Sequence, residues 1–272
     1  HKNNTIPDDV VRYENIRYSD FDEKWNLLDV YRPKNINGKL PVIMSIHGGG
    51  WVYGDKDVYQ WYCMSLAQRG FAVVNYSYRL APEYPYPASF EDTSCVADWI
   101  IQNAETYGFD INHIFGVGDS AGAHMLSLFS AALTNPNYHV PYTLPKHFQF
   151  TAIALNCGIY DMVAEQLGDT AKLMEDYLPN HGTSEEYHEI STIHFITSDF
   201  PSCFIMTCPG DFLYAAPESL VPVLKKNGVP FVYRTYGSAK NPLAHVFHCN
   251  MQLPEAKQCN DDECAFFQSF MK

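Results

Sequence analysis

A short apolar run, residues 114–117, leads directly into Gly118-Asp119-Ser120-Ala121-Gly122. This segment fits the pattern G-x-S-x-G, in which a buried strand turns sharply into a helix and exposes a serine hydroxyl on the turn. Glycines flank the serine because the turn leaves little room for side chains. A pattern this short recurs by chance, so it carries weight only if the rest of the chain supplies the groups that an activated serine needs.

Strand-like and helix-like segments alternate along the chain. Runs rich in β-branched and aromatic residues predict strands, and amphipathic stretches between them predict helices. This alternation predicts an α/β fold: a mostly parallel, eight-stranded sheet with helices on both faces and an antiparallel hairpin at its N-terminal edge. The predicted strands are 10–18, 25–31, 41–46, 71–76, 113–117, 150–156, 202–207 and 230–236, and the predicted helices are 58–69, 89–107, 120–133, 215–226 and 264–271, the last capped by Asn260.

No linker, repeat or low-complexity tract divides the 272 residues, which indicates one domain spanning 1–272. Residues 162–200 interrupt the alternation with helical patches at 170–178 and 185–190. Long excursions of this kind commonly cover a site, so we interpret this segment as a lid-like insertion. The first predicted strand begins about ten residues in, so we expect no lid before it.

The formal net charge of −13 and the absence of a basic run argue against nucleic acid and anionic membrane surfaces as partners. No apolar stretch reaches the length of a membrane span. Several of the eight cysteines lie in apolar runs, which favours reduced thiols and a cytoplasmic location, although the start at His1 leaves a removed signal peptide open. Exposed edge strands allow a monomer or a homodimer.

A glycine-rich segment, His47-Gly48-Gly49-Gly50-Trp51, follows the third predicted strand. Consecutive glycines let backbone N–H groups approach a ligand without side chains in the way. A serine that attacks a carbonyl needs such donors for the oxyanion that forms. The glycine segment and the serine turn therefore support each other's interpretation, because the two motifs occur together and in this order in one fold.

Three motifs together carry a resemblance to a known family. They are His47–Trp51, Gly118–Gly122, and Tyr78-Arg79-Leu80-Ala81-Pro82-Glu83 with Pro85 and Pro87 after it. With them the chain resembles the α/β-hydrolase esterases of the hormone-sensitive-lipase-like group over nearly its whole length, and it looks most like compact acetyl- or feruloyl-esterases. The resemblance implies that Gly49, Gly50 and Ala121 form the oxyanion hole. Two departures are the missing N-terminal helical cap of larger members and Ala123 in place of a second glycine.

The family order, serine then acid then histidine, identifies candidates for the other catalytic residues. Asp211 follows the strand at 202–207, and Asp161 is the alternative acid after the preceding strand. His245 is the expected base because a small residue and then Phe follow it, as in the family, and His248 is the alternative. His47 is expected to brace the glycine segment and His124 to face the packing side of its helix.

These residues predict a serine carboxylesterase that cleaves short-chain acyl esters through an acyl-enzyme, with Ser120, Asp211 and His245 as the triad. The substrate is expected to be a small-molecule or carbohydrate ester, including acetylated or feruloylated sugars. This chemistry needs no cofactor or metal, and the spacing of His248, Cys249, Cys259 and Cys264 fits no common zinc motif. The alternatives are an arylformamidase-type amidase and a non-catalytic ligand-binding member, such as the gibberellin receptors that have lost the histidine.

Overall fold

A computed structural model describes residues 4–163 and 167–272. The strands are β1 (Val10–Arg17), β2 (Leu27–Pro33), β3 (Leu40–Ile46), β4 (Ala72–Tyr76), β5 (Phe109–Asp119), β6 (Ala152–Asn156), β7 (Ser202–Thr207) and β8 (Phe231–Thr235). The helices are α1 (Lys56–Ala67), α2 (Ala88–Gln102), α3 (Ala104–Tyr107), α4 (Ala121–Thr134), α5 (Thr170–Tyr177), α6 (Ser184–Glu189), α7 (Pro217–Lys226) and α8 (Pro254–Gln268).

The described strands form one eight-stranded sheet in the order β1-β2-β4-β3-β5-β6-β7-β8. The β1–β2 and β2–β4 pairs are antiparallel, and every pair from β4 to β8 is parallel. The predicted fold class is therefore confirmed, including the hairpin at the N-terminal edge. Because the parallel strands run in one direction, the segments that follow β3, β5, β6, β7 and β8 meet at one edge of the sheet.

Side chains alternate between two apolar layers, one on each face of the sheet. On one face, Ile43 of β3 and Phe115 of β5 pack with α1 and α8. On the other, Val42 and Met44 pack with α2, α4 and α7. Burial on both faces explains why the central strands read as continuous apolar runs rather than as alternating ones.

Two predicted helices differ from the structure. The helix expected at 89–107 is divided at Asn103, whose side-chain amide donates to the carbonyl of Trp99 at 2.9 Å. The last helix begins at Pro254 rather than near Asn260, because proline is well suited to the first turn, where its missing N–H is not needed. Asn260 is buried inside this helix, and its amide donates to His248 O at 3.0 Å, so the predicted cap was wrong.

Helices α5 and α6 fall close to the helical patches expected within 162–200. Residues 164–166 of that segment lie outside the described residues, and its role as a lid stays a prediction. Within the described ranges, no helix combines the length and the apolar character needed to span a membrane. All eight cysteines are free thiols.

Candidate active site

Ser120 lies on the sharp turn between β5 and α4. Its φ of 52° and ψ of −121° are unusual for a residue other than glycine, and its N–H is held by Asn156 O at 3.0 Å. The two motif glycines make the turn possible, because a Cβ on Gly118 would lie 2.4 Å from Gly122 O and one on Gly122 2.1 Å from Ile46 O. The turn thus presents the Ser120 hydroxyl at the edge of the sheet and at the N-terminus of α4.

His245 connects Ser120 to Asp211. Its Nε2 lies 2.9 Å from Ser120 Oγ and its Nδ1 lies 2.8 Å from Asp211 Oδ1. A carboxylate at Nδ1 favours the tautomer with the proton on Nδ1, so Nε2 is free to accept from the serine hydroxyl. The structure therefore brings together the three residues that the sequence analysis selected as nucleophile, base and acid.

Two loops position Asp211 and His245. Asp211 follows β7 and also accepts the N–H of Leu213 at 2.8 Å, and its side chain is fully buried. His245 lies in residues 243–249, which we call the base loop. A parallel bridge between Gly210 and Ala244 joins this loop to the turn that carries Asp211. The bridge fixes the acid and the base relative to each other.

The alternative residues lie elsewhere. Asp161 borders a cavity near Phe212, and the carboxylate that contacts His245 Nδ1 is that of Asp211 instead. His248 is fully buried, and its Nε2 lies 3.5 Å from Asp119 Oδ2 rather than near Ser120. Burial lowers the pKa of His248 to about 3, so this imidazole is neutral at ordinary pH.

The glycine loop, residues 47–51, lies beside the serine turn. In the described part of the chain, the backbone N–H groups of Gly49, Gly50 and Ala121 make no hydrogen bond. A Cβ on Gly49 would lie 1.9 Å from Tyr53 O, so only glycine fits there. His47 braces the loop as expected: its Nδ1 lies 2.6 Å from Gly48 O and its ring stacks on Tyr78 at 4.1 Å.

Sequence reasoning missed the role of Asp119, which it recorded only as a motif position. Its buried carboxylate accepts the Tyr59 hydroxyl at 2.9 Å, and that hydroxyl in turn accepts the Gly48 N–H at 3.2 Å. The Cys249 thiol donates to the second carboxylate oxygen at 3.3 Å. Asp119 thus ties the serine turn to the glycine loop and the base loop. Burial raises its pKa to about 6.

The third motif, residues 78–83, contacts the glycine loop and helix α2. The Tyr78 hydroxyl donates to His47 O at 2.7 Å. Arg79 is buried and forms an ion pair with Asp92 of α2, with 2.9 Å between Nη2 and Oδ1. This motif therefore joins the glycine loop to the helix layer.

An exposed aromatic side chain lies beside His245. The ring of Phe212, which is 71% exposed, lies 4.7 Å from the His245 ring. Phe212 also borders a cavity of about 230 Å³. The residues lining this cavity are mainly apolar: Ile159, Tyr160, Phe212, Leu213, Ala215 and Ala216, with Asp161 and Ser219. Leu173 of α5 lies close to Gly50.

Several known esterases are similar to this chain in sequence or in fold. Esterase B from Lactobacillus rhamnosis superposes with a TM-score of 0.89 at 26% identity, covering 99% of this chain and 88% of that one. Versiconal hemiacetal acetate esterase from Dothistroma septosporum is 26% identical over 262 residues, which are 90% of this chain and 77% of that protein. An acetyl esterase from Salmonella schwarzengrund is 28% identical over 249 residues, 85% and 73% of the two chains.

Fold, site and relatives define an α/β-hydrolase of the hormone-sensitive-lipase-like esterases, and the protein is a carboxylic ester hydrolase. The family model described as BD-FAE matches residues 28–220. The chain belongs to this family.

Proposed function

We propose that the protein cleaves short-chain carboxylic esters through a covalent acyl-enzyme on Ser120. The observation that carries this proposal is the continuous chain from Ser120 Oγ through His245 to Asp211, with contacts of 2.9 and 2.8 Å. A nucleophile, a base within reach of it and a third group that orients the base are the requirements of this chemistry.

In the first half of the reaction, Ser120 Oγ attacks the ester carbonyl while His245 Nε2 takes its proton. The free N–H groups of Gly49, Gly50 and Ala121 receive the oxyanion, and the N-terminal end of α4 adds its positive dipole. His245 then gives the proton to the departing alcohol. In the second half, His245 activates water, which attacks the acyl group and releases Ser120. Asp211 orients the imidazole and stabilises its charged form throughout.

The acyl group is proposed to be short. The cavity of about 230 Å³ beside Phe212 is smaller than the 300–1,000 Å³ typical of drug-sized ligands. Two relatives carry an acetate or acetyl ester in their names, and esterase B has also been solved inhibited by a C4-C4 tributyrin phosphonate. We therefore expect acetyl to butyryl esters to be cleaved faster than octanoyl esters.

The alcohol side of the substrate faces aromatic groups. Tyr53, next to the glycine loop, is 64% exposed, and Phe212 is exposed beside His245. Exposed rings of this kind bind flat or partly apolar groups by stacking. Acetylated carbohydrate is the substrate class that we propose on this basis, because the feruloyl group of a feruloylated sugar is itself a bulky acyl group and does not suit a short acyl site. Residues 162–200 are proposed to act as the lid, because Leu173 of α5 lies against Gly50.

A substrate panel tests the proposal. It contains p-nitrophenyl esters from acetyl to octanoyl, acetylated xylan, methyl ferulate and a formylated aromatic amine. We expect p-nitrophenyl acetate to be cleaved and Ser120→Ala to abolish the cleavage, while Asp161→Asn retains it. The esterase mechanism fails if folded protein cleaves none of the short esters. Faster cleavage of the formylated amine would identify an amidase instead, and preference for octanoyl esters would overturn the short acyl site.

A further inference from the structure

Three different metal-binding atoms meet next to the serine turn, in the buried interior. They are Asp119 Oδ2, His248 Nε2 and Cys249 Sγ. The distances are 3.3 Å between Sγ and Oδ2, 3.5 Å between Sγ and Nε2, and 3.5 Å between Nε2 and Oδ2. The side chains of Asp119 and His248 are 2% and 0% exposed. The ester-cleaving groups do not use any of these three atoms.

These separations match the edges of a zinc tetrahedron. Four-coordinate zinc holds sulfur at about 2.3 Å, imidazole nitrogen at about 2.0–2.1 Å and carboxylate oxygen at about 2.0–2.2 Å. At the tetrahedral angle, these bond lengths place the ligand atoms about 3.4–3.6 Å apart. Each observed distance lies close to this range, so an ion could enter with small side-chain movements.

The imidazole of His248 makes no nitrogen–oxygen hydrogen bond of ordinary length although it is completely buried. In the described part of the chain, Nδ1 has no partner, and Nε2 has only the two 3.5 Å contacts with the carboxylate and the sulfur. A nitrogen–oxygen distance of 3.5 Å exceeds the usual 2.7–3.2 Å of a hydrogen bond. Buried polar groups normally have partners, so a nitrogen aimed between an oxygen and a sulfur in this way points to a ligand.

The local charge also favours a cation. Among residues 4–163 and 167–272, no lysine or arginine nitrogen lies within 4.0 Å of the Asp119 carboxylate. A second buried acid, Glu263, is bonded to the hydroxyl of Tyr62, whose ring meets His248 edge-on at 5.0 Å. Buried carboxylates are usually paired with a cation or coordinate a metal.

We propose that Asp119, His248 and Cys249 form a binding site for one divalent transition-metal ion, zinc being the best match, with water as the fourth ligand. The mixed oxygen, nitrogen and sulfur set suits zinc better than magnesium or calcium, which prefer oxygen alone. Binding replaces the thiol proton of Cys249 by the metal and releases that proton to solvent, while the carboxylate and the neutral imidazole bind through lone pairs.

The ion would have a structural role, independent of the proposed ester cleavage. Asp119 immediately precedes Ser120, and His248 follows His245 by three positions in the base loop. A metal would therefore cross-link the two loops that carry the nucleophile and the base. The sequence shows no metal-binding spacing here because Asp119 and Cys249 are 130 positions apart and only the fold brings them together.

A second cluster provides the competing explanation for any metal binding. Cys157 Sγ, Cys208 Sγ and a carboxylate oxygen of Asp211 lie within 4.8 Å of one another. This cluster offers two sulfurs, whereas the proposed site offers one. The two clusters are therefore distinguished by the number of sulfur ligands.

The first experiment uses the wild-type protein and needs no substitution. Protein stripped of metal is titrated with zinc, and X-ray absorption of the loaded sample gives the ligand types. We expect one ion per chain, one sulfur at about 2.3 Å and nitrogen or oxygen neighbours at about 2.0–2.2 Å. Two sulfur ligands would place the ion at Cys157 and Cys208 and overturn the proposal, as would the absence of stoichiometric binding.

The second experiment compares Cys249→Ser with Cys157→Ser as a matched control. With Co²⁺ as the probe, wild type and Cys157→Ser should show sulfur-to-cobalt charge-transfer absorption, and Cys249→Ser should lose it. Zinc affinity of Cys249→Ser should fall by more than about 10-fold, since even the loss of outer partners of a ligand costs that much. Zinc should raise the unfolding temperature of wild type and the control, but not of Cys249→Ser. An unchanged band in Cys249→Ser would refute the site.

Discussion

The indole N–H of Trp51 donates to Nδ1 of His124 at 3.2 Å in the buried interior. Because Nδ1 is the acceptor, the proton of His124 lies on Nε2, which donates to Ile190 O at 2.7 Å. Trp51 ends the glycine loop, His124 lies one turn beyond Ser120 in α4, and Ile190 follows α6. One imidazole thus links the glycine loop, helix α4 and the segment at residues 162–200. Burial lowers its pKa to about 4, which keeps it neutral.

Trp51→Phe should therefore destabilise the fold through the loss of a single donor. The ring still fills the space beside Tyr177, but Nδ1 of His124 is left buried without a partner. Leaving a buried group unpaired costs about 1–3 kcal/mol. Urea unfolding should show this loss, whereas Trp25→Phe, at a partly exposed tryptophan, should change stability much less. Equal effects of the two substitutions would show that the bond to His124 contributes little.

Asp211→Asn tests whether the carboxylate sets the tautomer of His245, because the substitution leaves the imidazole itself in place. An amide at this position no longer favours the Nδ1-protonated imidazole, so Nε2 ceases to be a ready acceptor for Ser120. We expect kcat for p-nitrophenyl acetate to fall by about 10⁴-fold with KM little changed. Asp161→Asn is the matched control and should retain most of the activity. A large loss in Asp161→Asn with a small one in Asp211→Asn would reverse the assignment of the acid.

Gly50→Ala tests the contact between the glycine loop and α5. Gly50 has φ +58°, which alanine adopts at a cost of about 1–2 kcal/mol, so the protein should still fold. Its new Cβ would lie 2.9 Å from Leu173 Cδ1 and should displace either the leucine or the loop. Displacement of the loop should lower kcat toward the roughly 10²–10³-fold loss caused by removing one oxyanion donor.

The control for Gly50→Ala is the double variant Gly50→Ala/Leu173→Ala, which removes the crowding and should recover part of the lost kcat. Leu173→Ala alone measures any separate effect of the leucine. If the double variant is no more active than Gly50→Ala, contact with α5 does not control the glycine loop.

The fold and the central residues of the site could be predicted because each depends on local signals. Central strands buried on both faces leave continuous apolar runs, and the serine turn needs Gly118 and Gly122 at fixed positions. His245 was chosen over His248 by the residues that follow it, and the structure brings His245 to Ser120.

The remaining contacts could not be predicted because they depend on side chains that are distant in sequence. Tyr59 reaches Asp119 across 60 positions, and Trp51 reaches His124 across 73. No periodicity marks such pairs. The cap expected at Asn260 failed for the same reason: a polar residue before an acidic run looks like a helix start, but its amide is used in a tertiary bond to His248 O.

Glu263 should make the stability of the protein depend on pH. It is fully buried in α8, where Asn156 and Tyr62 donate to its carboxylate at 2.8 Å, and burial raises its pKa from 4.5 to about 7. The folded state therefore binds the proton more tightly than the unfolded chain. This contribution is fully present below about pH 4.5 and is lost as the pH rises through about 7, with a total of about 3 kcal/mol.

Glu263→Gln should remove this dependence, since an amide can accept from Asn156 and donate to the hydroxyl of Tyr62 without a charge. We expect the variant to gain stability relative to wild type by about 3 kcal/mol as the pH is raised from about 4.5 to about 8. Urea unfolding across this range, with a chelator present, measures the difference. Glu185→Gln, at an exposed position of α6, should follow wild type. The buried histidines are common to all three proteins, so their titration cancels. Parallel curves for Glu263→Gln and wild type would contradict the raised pKa of Glu263.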